Sequence, residues 1–212
     1  MRLEKESKKL KTVPFTHATL LSFFKGYKNP NDKIKEMVKK KEIIRIKRSL
    51  YIIGDLYNNY FSKELIANSF YGPSYISIDY ALFYYGLISE RVYEVTSVTT
   101  KIGKKYNTPI ERFTYIKFPV CLYKVGIAIK TTDKYSFMIA TPTTALCDKV
   151  VFTKTLNIVS IKSMLEYLMD DLRMEIEKLK ELDLETIQKC VECNYKARVL
   201  TFLYGAIKNS KE

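Results

Sequence analysis

Basic and amide side chains near the N-terminus are the first residues in this sequence whose types and spacing could do chemistry. Residues 30–41 are predicted to form a helix that presents Asn31, Lys35 and Lys39 outward or at its start. Asparagine can hydrogen-bond adenine, lysine can hydrogen-bond guanine, and cations neutralise phosphates. The candidate DNA-contacting residues, in this helix, the turn before it and the hairpin after it, are Lys28, Asn31, Lys35, Lys39, Arg45, Lys47 and Arg48.

Two carboxylates on the same helix oppose this interpretation. Asp32 and Glu36 lie among the lysines and would repel phosphate, although a carboxylate can also accept a hydrogen bond from cytosine N4. The alternative is an ordinary solvated amphipathic helix with no ligand.

The distribution of charge favours a polyanionic partner. The net charge is +13 over 212 residues. Residues 1–58 contain 15 lysines and arginines against 6 acidic residues, whereas residues 151–212 contain 10 of each. A localised basic excess is typical of nucleic-acid binding, and a tail that aids solubility is the alternative.

The elements that must position these cations follow from local signals. Thr16 is a predicted N-cap for a short apolar helix that runs to Phe24, and Asn29-Pro30 opens a second helix. Two β-rich runs, residues 42–47 and 50–53, flank a polar turn and predict a hairpin. Helix, turn, helix and hairpin in this order predict a winged helix-turn-helix domain that covers residues 1–58.

Residues 59–212 are predicted to form a mixed α/β domain with a helical C-terminal tail, so the predicted fold class is α+β. We expect strands at residues 91–99, 113–118, 123–129 and 134–139, and a polar loop at residues 100–112. Ser77 and Thr141-Pro142 mark helix starts, and the tail is predicted to be helical over residues 158–180, 184–193 and 196–208.

The sequence lacks the residues that most enzyme classes need for catalysis. His17 is the single histidine and lies at the start of the first helix, where a capping or surface role is expected. No phosphate-binding glycine loop of either common type occurs. The chain is therefore predicted not to be an enzyme. An alternative uses acidic residues of the C-terminal half to hold a metal in a nucleic-acid enzyme, although basic residues interrupt the acidic run, as in a solvated helix face.

The four cysteines are expected to be reduced thiols, and neither a metal nor a cofactor is predicted. Cys190 and Cys193 have the spacing of metal ligands, but Cys121, Cys147 and His17 are remote in sequence and a structural zinc needs four ligands. The N-terminus has no apolar signal region, and no apolar run is long enough to span a bilayer. A cytoplasmic protein without a membrane partner is expected.

Several stretches resemble the AbiEi family of antitoxins. Residues 43–53 resemble the end of that family's winged helix, and Tyr75 to Ile88 together with Val95 to Lys101 resemble a more specific pair of motifs. Residues 140–148 and 170–184 are also similar, so the resemblance covers about residues 15–208. Two departures occur: Ser49 stands where the family often has glycine, and Thr143-Thr144 stand where it often has Glu-Lys or Glu-Arg.

The resemblance implies the antitoxin of a type IV toxin–antitoxin system linked to abortive phage infection. In this family the N-terminal domain binds inverted repeats in its own promoter and represses it. The C-terminal domain counters a nucleotidyltransferase toxin, usually without a stable complex. Candidate antitoxin-surface residues, for which a plain solvated surface is the alternative, are Lys101, Lys104, Lys105, Arg112 and Arg173. A stand-alone winged-helix regulator whose C-terminal domain senses a small ligand is the second hypothesis.

Overall fold

The N-terminal part of the chain is a small α+β unit. The computed structural model describes residues 13–54, 61–154 and 156–212. The unit consists of β1 (Phe15–Thr16), α1 (His17–Phe23), α2 (Pro30–Lys39), β2 (Ile43–Lys47) and β3 (Leu50–Ile53). The strands form an antiparallel sheet in the order β1-β3-β2. The two helices and the hairpin expected from the sequence are present at these positions.

Local signals explain where these elements begin. The Thr16 hydroxyl accepts a hydrogen bond from the backbone N–H of Thr19 at 3.2 Å and caps α1. Pro30 occupies the first turn of α2, where its missing N–H costs nothing. Eight buried side chains from both helices and all three strands form the core of the unit: Phe15, Leu20, Phe24, Ile34, Met37, Ile43, Tyr51 and Ile53.

A mixed six-stranded sheet organises the rest of the chain. Its strands are β4 (Ser74–Ile76), β5 (Val95–Thr99), β6 (Lys104–Asn107), β7 (Arg112–Lys117), β8 (Ile127–Thr131) and β9 (Ser136–Ala140). Their order is β6-β7-β5-β4-β9-β8, in which β5 pairs with β7 and β4 with β9 in parallel. The remaining neighbours are antiparallel. The chain is therefore a mixed α+β protein, as predicted.

Helices cover this sheet. They are α3 (Lys63–Phe70), α4 (Ile78–Tyr84), α5 (Val120–Tyr123), α6 (Pro142–Phe152), α7 (Ile161–Glu166, continued by a π-helical turn, Tyr167–Asp171), α8 (Ile176–Lys180), α9 (Leu184–Glu192) and α10 (Ala197–Lys211). Within the described ranges, none of these helices is long and apolar enough to cross a lipid bilayer.

Three sequence expectations for this region were wrong in detail. The predicted polar loop at residues 100–112 contains β6, a strand whose mostly exposed side chains hide its pairing with β7. The predicted strand at residues 123–129 is divided between the end of α5 and the start of β8. The tail segment at residues 158–180 is not one helix, because residues 172–175 between the π-helical turn and α8 are not helical.

The two faces of the sheet carry different helices. The α3 face holds Phe113, whose ring stacks on Phe70, and Tyr115, whose hydroxyl donates to the Ala67 carbonyl. The opposite face holds Tyr75, whose hydroxyl donates to Asp148 of α6. Because side chains alternate along a strand, the register assigns every other residue of β5 and β7 to one of these faces.

The hairpin of the N-terminal unit also packs on the larger part of the chain. Ile46 and Ile52 belong to the main hydrophobic core, together with Ile66 and Phe70 of α3. The hairpin therefore buries one face against α1 and α2 and the other against the larger part. The domain boundary predicted near residue 58 lies outside the described residues.

The expectation that all four cysteines are free was wrong. Cys121 and Cys193 form a disulfide across 72 residues of sequence, with their Cα atoms 5.7 Å apart. Cys147 and Cys190 are free and buried. The fold brings α5 beside the end of α9, a contact that cysteine spacing along the chain cannot reveal.

Candidate nucleic-acid interface

The outer face of α2 carries the first set of predicted DNA-contacting residues. Ile34 and Met37 are buried in the core of the N-terminal unit, so the helix is anchored by its inner face. Asn31, Lys35 and Lys39 are exposed, and Lys28 is exposed in the turn before the helix. The predicted amphipathic arrangement is therefore present, and these four side chains are accessible.

The carboxylates on this helix are held by its own lysines. Asp32 pairs with Lys35 at 3.0 Å, and Glu36 accepts from Lys33 at 2.9 Å and from Lys40 at 2.6 Å. The two lysine hydrogen bonds lower the pKa of Glu36 to about 2. Because two lysines surround one glutamate, this cluster keeps a net positive charge and does not present an isolated carboxylate to phosphate.

The hairpin cations point in different directions. Arg45 lies opposite Tyr51 in the register and thus on the hairpin face that packs against α1 and α2, while Arg48 is exposed in the turn. The register shifts between Arg45 and Lys47, which changes the alternation of faces at that point. Arg45 is therefore exposed on the hairpin face toward α1 and α2, whereas Arg48 is exposed at the hairpin turn.

Lys47 lies on the other side of the hairpin. Its ammonium group donates to the Phe70 carbonyl at 2.9 Å and sits 5.1 Å from the centre of the Phe70 ring and 5.6 Å from that of Tyr106. These contacts join the hairpin to the end of α3 and to β6. The structure thus separates Lys47 from the other predicted DNA-contacting residues.

Close backbone approaches occur where the end of β3 meets the residues between α2 and β2. Gly54 donates its N–H to the Glu42 carbonyl at 2.8 Å, and a Cβ at this position would lie 1.8 Å from the Lys41 carbonyl oxygen. At the hairpin turn, Ser49 has a φ of 66°, in the left-handed region that favours glycine. Ser49 therefore stands at a position where the backbone itself favours glycine.

The candidate antitoxin residues do not form one surface. Lys101 donates to the Gly72 carbonyl at 2.6 Å, and both Lys101 and Lys104 lie over the ring of Tyr71 on the α3 side. Lys105 is paired with Thr114, and hence lies on the opposite face of the sheet.

The two remaining antitoxin candidates lie apart from the Tyr71 pair. Arg112 donates to Asn107 at 3.2 Å and lies 4.0 Å from Glu94. Arg173 is 3.9 Å from Glu90 and follows the π-helical turn.

A buried polar cluster, which no local pattern in the sequence indicates, joins the segments at residues 75–88 and 140–148. Asp148, only 2% exposed, accepts hydrogen bonds from the Ser77 hydroxyl at 2.6 Å and the Tyr75 hydroxyl at 3.0 Å. Burial raises the pKa of Asp148 to about 7, although both hydrogen bonds act in the opposite direction. The cluster ties β4 and the start of α4 to α6.

The residues with metal-ligand spacing do not come together as ligands. Cys190 is buried beside Cys147, while Cys193 is bonded to Cys121. Across residues 13–54, 61–154 and 156–212, no group of three or more histidine, cysteine or acidic side chains could hold a metal ion. His17 donates its backbone N–H to the Ser49 carbonyl at 3.0 Å, and its ring lies 6.2 Å from that of Tyr51.

Comparison with known proteins shows a similarity of fold but no similarity of sequence to a family or a curated protein. No family model and no curated protein matches the chain. The fold is similar to the crystal structure of the RV2827C protein from Mycobacterium tuberculosis, with a TM-score of 0.51 and 9% sequence identity. The match covers 100% of this chain and 80% of that chain. At this identity the likeness concerns the mixed α+β architecture alone.

Proposed function

We propose that the N-terminal unit is a winged helix-turn-helix that binds duplex DNA. The observation that carries this proposal is that exposed cations on α2 and on the hairpin, Lys39, Arg45 and Arg48, belong to a single unit with one shared core. In this proposal α2 enters the major groove, with Asn31 near its N-terminal end placed to read bases. Lys28, Lys35 and Lys39 contact phosphates on either side.

The proposed wing contributes through its arginines. Arg45 and Arg48 reach the backbone or the minor groove, while Lys47 serves the contact between the hairpin and α3. Lys35 can exchange its exposed ion pair with Asp32 for a phosphate, because exposed pairs of this kind contribute little free energy.

We further propose that the protein is a cytoplasmic transcriptional autorepressor and antitoxin, and not an enzyme. In this proposal it binds inverted repeats in its own promoter and counters a nucleotidyltransferase toxin without a stable complex. The support for this role is the resemblance to AbiEi-type antitoxins, and two of the resembling motifs meet at Asp148. The antitoxin surface stays a prediction, with Lys105 and Arg112 as the candidates on the face away from α3.

Binding to DNA is tested by its dependence on salt. Fluorescence anisotropy with duplex DNA from the region upstream of the gene should give a slope of log K against log salt of roughly −4 or steeper, since each phosphate contact contributes about −0.9. Replacing Arg45 and Arg48 together by alanine should flatten the slope by about two units, because two phosphate contacts are lost. Lys47→Ala should leave the slope unchanged.

The matched control removes two positive charges elsewhere. Lys162→Ala combined with Lys208→Ala alters exposed lysines of the C-terminal helices and should leave both affinity and slope close to wild type. If the arginine variant keeps the wild-type slope, the wing does not contact DNA. If wild-type binding is insensitive to salt, the proposed interface is wrong.

Antitoxin activity is tested in cells that express the neighbouring nucleotidyltransferase from a foreign promoter, so that repression cannot explain survival. Both the full chain and the Arg45→Ala, Arg48→Ala variant should restore colony formation, since the proposed antitoxin surface lies outside the N-terminal unit. If neither rescues although both accumulate as folded protein, the antitoxin role is wrong and the regulator that senses a small ligand replaces it.

A further inference from the structure

An open groove lies between one face of the six-stranded sheet and neighbouring helices. The groove has a volume of about 780 Å³ and lies between β5, β6 and β7 on one side and the end of α6 and the turn before α10 on the other. Thr96, Thr114 and Ile116 line it from the sheet. A volume of this size falls within the range of about 300–1,000 Å³ that is typical of small-molecule sites.

The groove carries a positive charge. Lys105, Lys154 and Lys196 line it, while the two acidic lining residues, Asp79 and Glu94, have partners. Asp79 pairs with Lys149 at 2.7 Å, and Glu94 accepts a hydrogen bond from the Thr114 hydroxyl and lies near Arg112.

The lysines differ in how far they are engaged. Among the described residues, neither Lys105 nor Lys154 makes an ion pair. Lys196 donates to the Val151 carbonyl at 2.6 Å near the end of α6, so its charge stays at the rim. An anionic ligand would therefore meet two accessible ammonium groups.

Aromatic side chains lie among these lysines. Tyr195 is 45% exposed and Phe152 is 40% exposed, and both line the groove. Exposed aromatic rings beside cations are the combination by which proteins hold nucleobases and phosphates together. The Thr96 hydroxyl can donate to a sugar or a base edge, and the Thr114 hydroxyl, which donates to Glu94, can still accept from one.

We propose that this groove binds a nucleoside phosphate, with Lys105 and Lys154 on the phosphates and Tyr195 stacked on the base. The site lies in the larger part of the chain, and it requires neither DNA binding by the N-terminal unit nor antitoxin activity. Binding there would make the protein responsive to a nucleotide.

Isothermal titration calorimetry of the full-length protein tests the site with ATP, GTP, CTP and UTP, and with adenosine and tripolyphosphate as partial ligands. At least one nucleoside triphosphate should bind about tenfold or more tightly than either partial ligand, because only the whole molecule engages both lysines and the aromatic ring. The absence of binding by all four, or equal affinity for tripolyphosphate, would overturn the proposal.

Variants locate the binding in this groove. Lys105→Ala combined with Lys154→Ala should weaken nucleotide binding about tenfold or more, whereas Lys162→Ala combined with Lys208→Ala, with the same loss of charge, should not. Tyr195→Ala should weaken the triphosphate but leave tripolyphosphate unchanged. Circular dichroism of each variant verifies folding.

Two further outcomes contradict the proposal. Nucleotide binding that survives the groove lysine variant lies elsewhere on the molecule. A single-stranded RNA oligonucleotide that binds through these lysines, while every mononucleotide fails, would assign the groove to a nucleic-acid strand instead.

Discussion

At the scale of single residues, the structure distinguishes cations that look equivalent in the sequence. Lys47 and Arg48 are neighbours, yet the Lys47 ammonium contacts a carbonyl and two aromatic rings of the larger part, while Arg48 is exposed in the turn. A lysine used in this way contributes to packing through its stem and its charge.

Asp148 gives a residue-scale prediction about pH. Its folded pKa of about 7 lies above the ordinary aspartate pKa of about 3.9, so the folded protein keeps a proton that the unfolded chain loses. Below both pKa values Asp148 is protonated in the folded and the unfolded protein, so it has no effect on the dependence of stability on pH. As the pH rises from the unfolded pKa to the folded pKa, the free energy of unfolding falls by on the order of 4 kcal/mol at most. Above about pH 7 this loss of folding stability is complete.

Asp148→Asn should remove this dependence, since the amide oxygen can still accept from the Tyr75 and Ser77 hydroxyls. Urea unfolding between about pH 5 and pH 8 should show the variant gaining stability relative to wild type as the pH rises. Parallel pH profiles for the two proteins would show that Asp148 does not hold a proton in the fold.

At the scale of elements, the hairpin connects the two parts of the chain. One of its faces completes the core of the N-terminal unit, and Ile46 and Ile52 on the other join the core around the six-stranded sheet. The β-rich runs of β2 and β3 indicated a hairpin but not this second contact, because a strand that is apolar on both faces does not show which elements cover each face.

The hairpin turn gives an element-scale prediction. Ser49→Gly should raise the free energy of unfolding by up to about 1 kcal/mol. Glycine removes the steric strain of a Cβ in the left-handed region, and this gain exceeds the conformational entropy that glycine adds to the unfolded chain. Thermal and urea unfolding measure the change. The matched control is Ser136→Gly in β9, at an exposed position without positive φ, which should lower stability. A loss of stability at Ser49 equal to that of the control would contradict the prediction.

At the scale of the whole molecule, the Cys121–Cys193 disulfide is a covalent link between distant parts of the larger region. It closes a loop of 72 residues and joins the segment after β7 to the end of α9. Such a loop constrains the unfolded chain strongly, so the bond should contribute about 2–4 kcal/mol to stability.

Reduction should therefore lower the melting temperature by roughly 5–15 °C. The double variant Cys121→Ser, Cys193→Ser should melt at the temperature of the reduced wild type, and a reducing agent should not alter it further. A wild-type melting temperature that is insensitive to reduction, with four thiols found by titration, would show that the bond does not form.

The sequence by itself determined the features that depend on neighbours along the chain. The cap at Thr16, the proline start of α2 and the hairpin at residues 43–53 were predictable because capping, backbone restriction and β-propensity act over a few residues. The exposed face of α2 followed from helical periodicity in the same way.

Only the tertiary structure decided which distant residues meet. The pairing of β6 with β7, the Cys121–Cys193 bond, the cluster at Asp148 and the lysine groove each join residues far apart in sequence. No local pattern encodes these contacts, because they depend on strand order and on which face of the sheet each helix covers. For the same reason the sequence could not show that Lys47 turns away from the other cations.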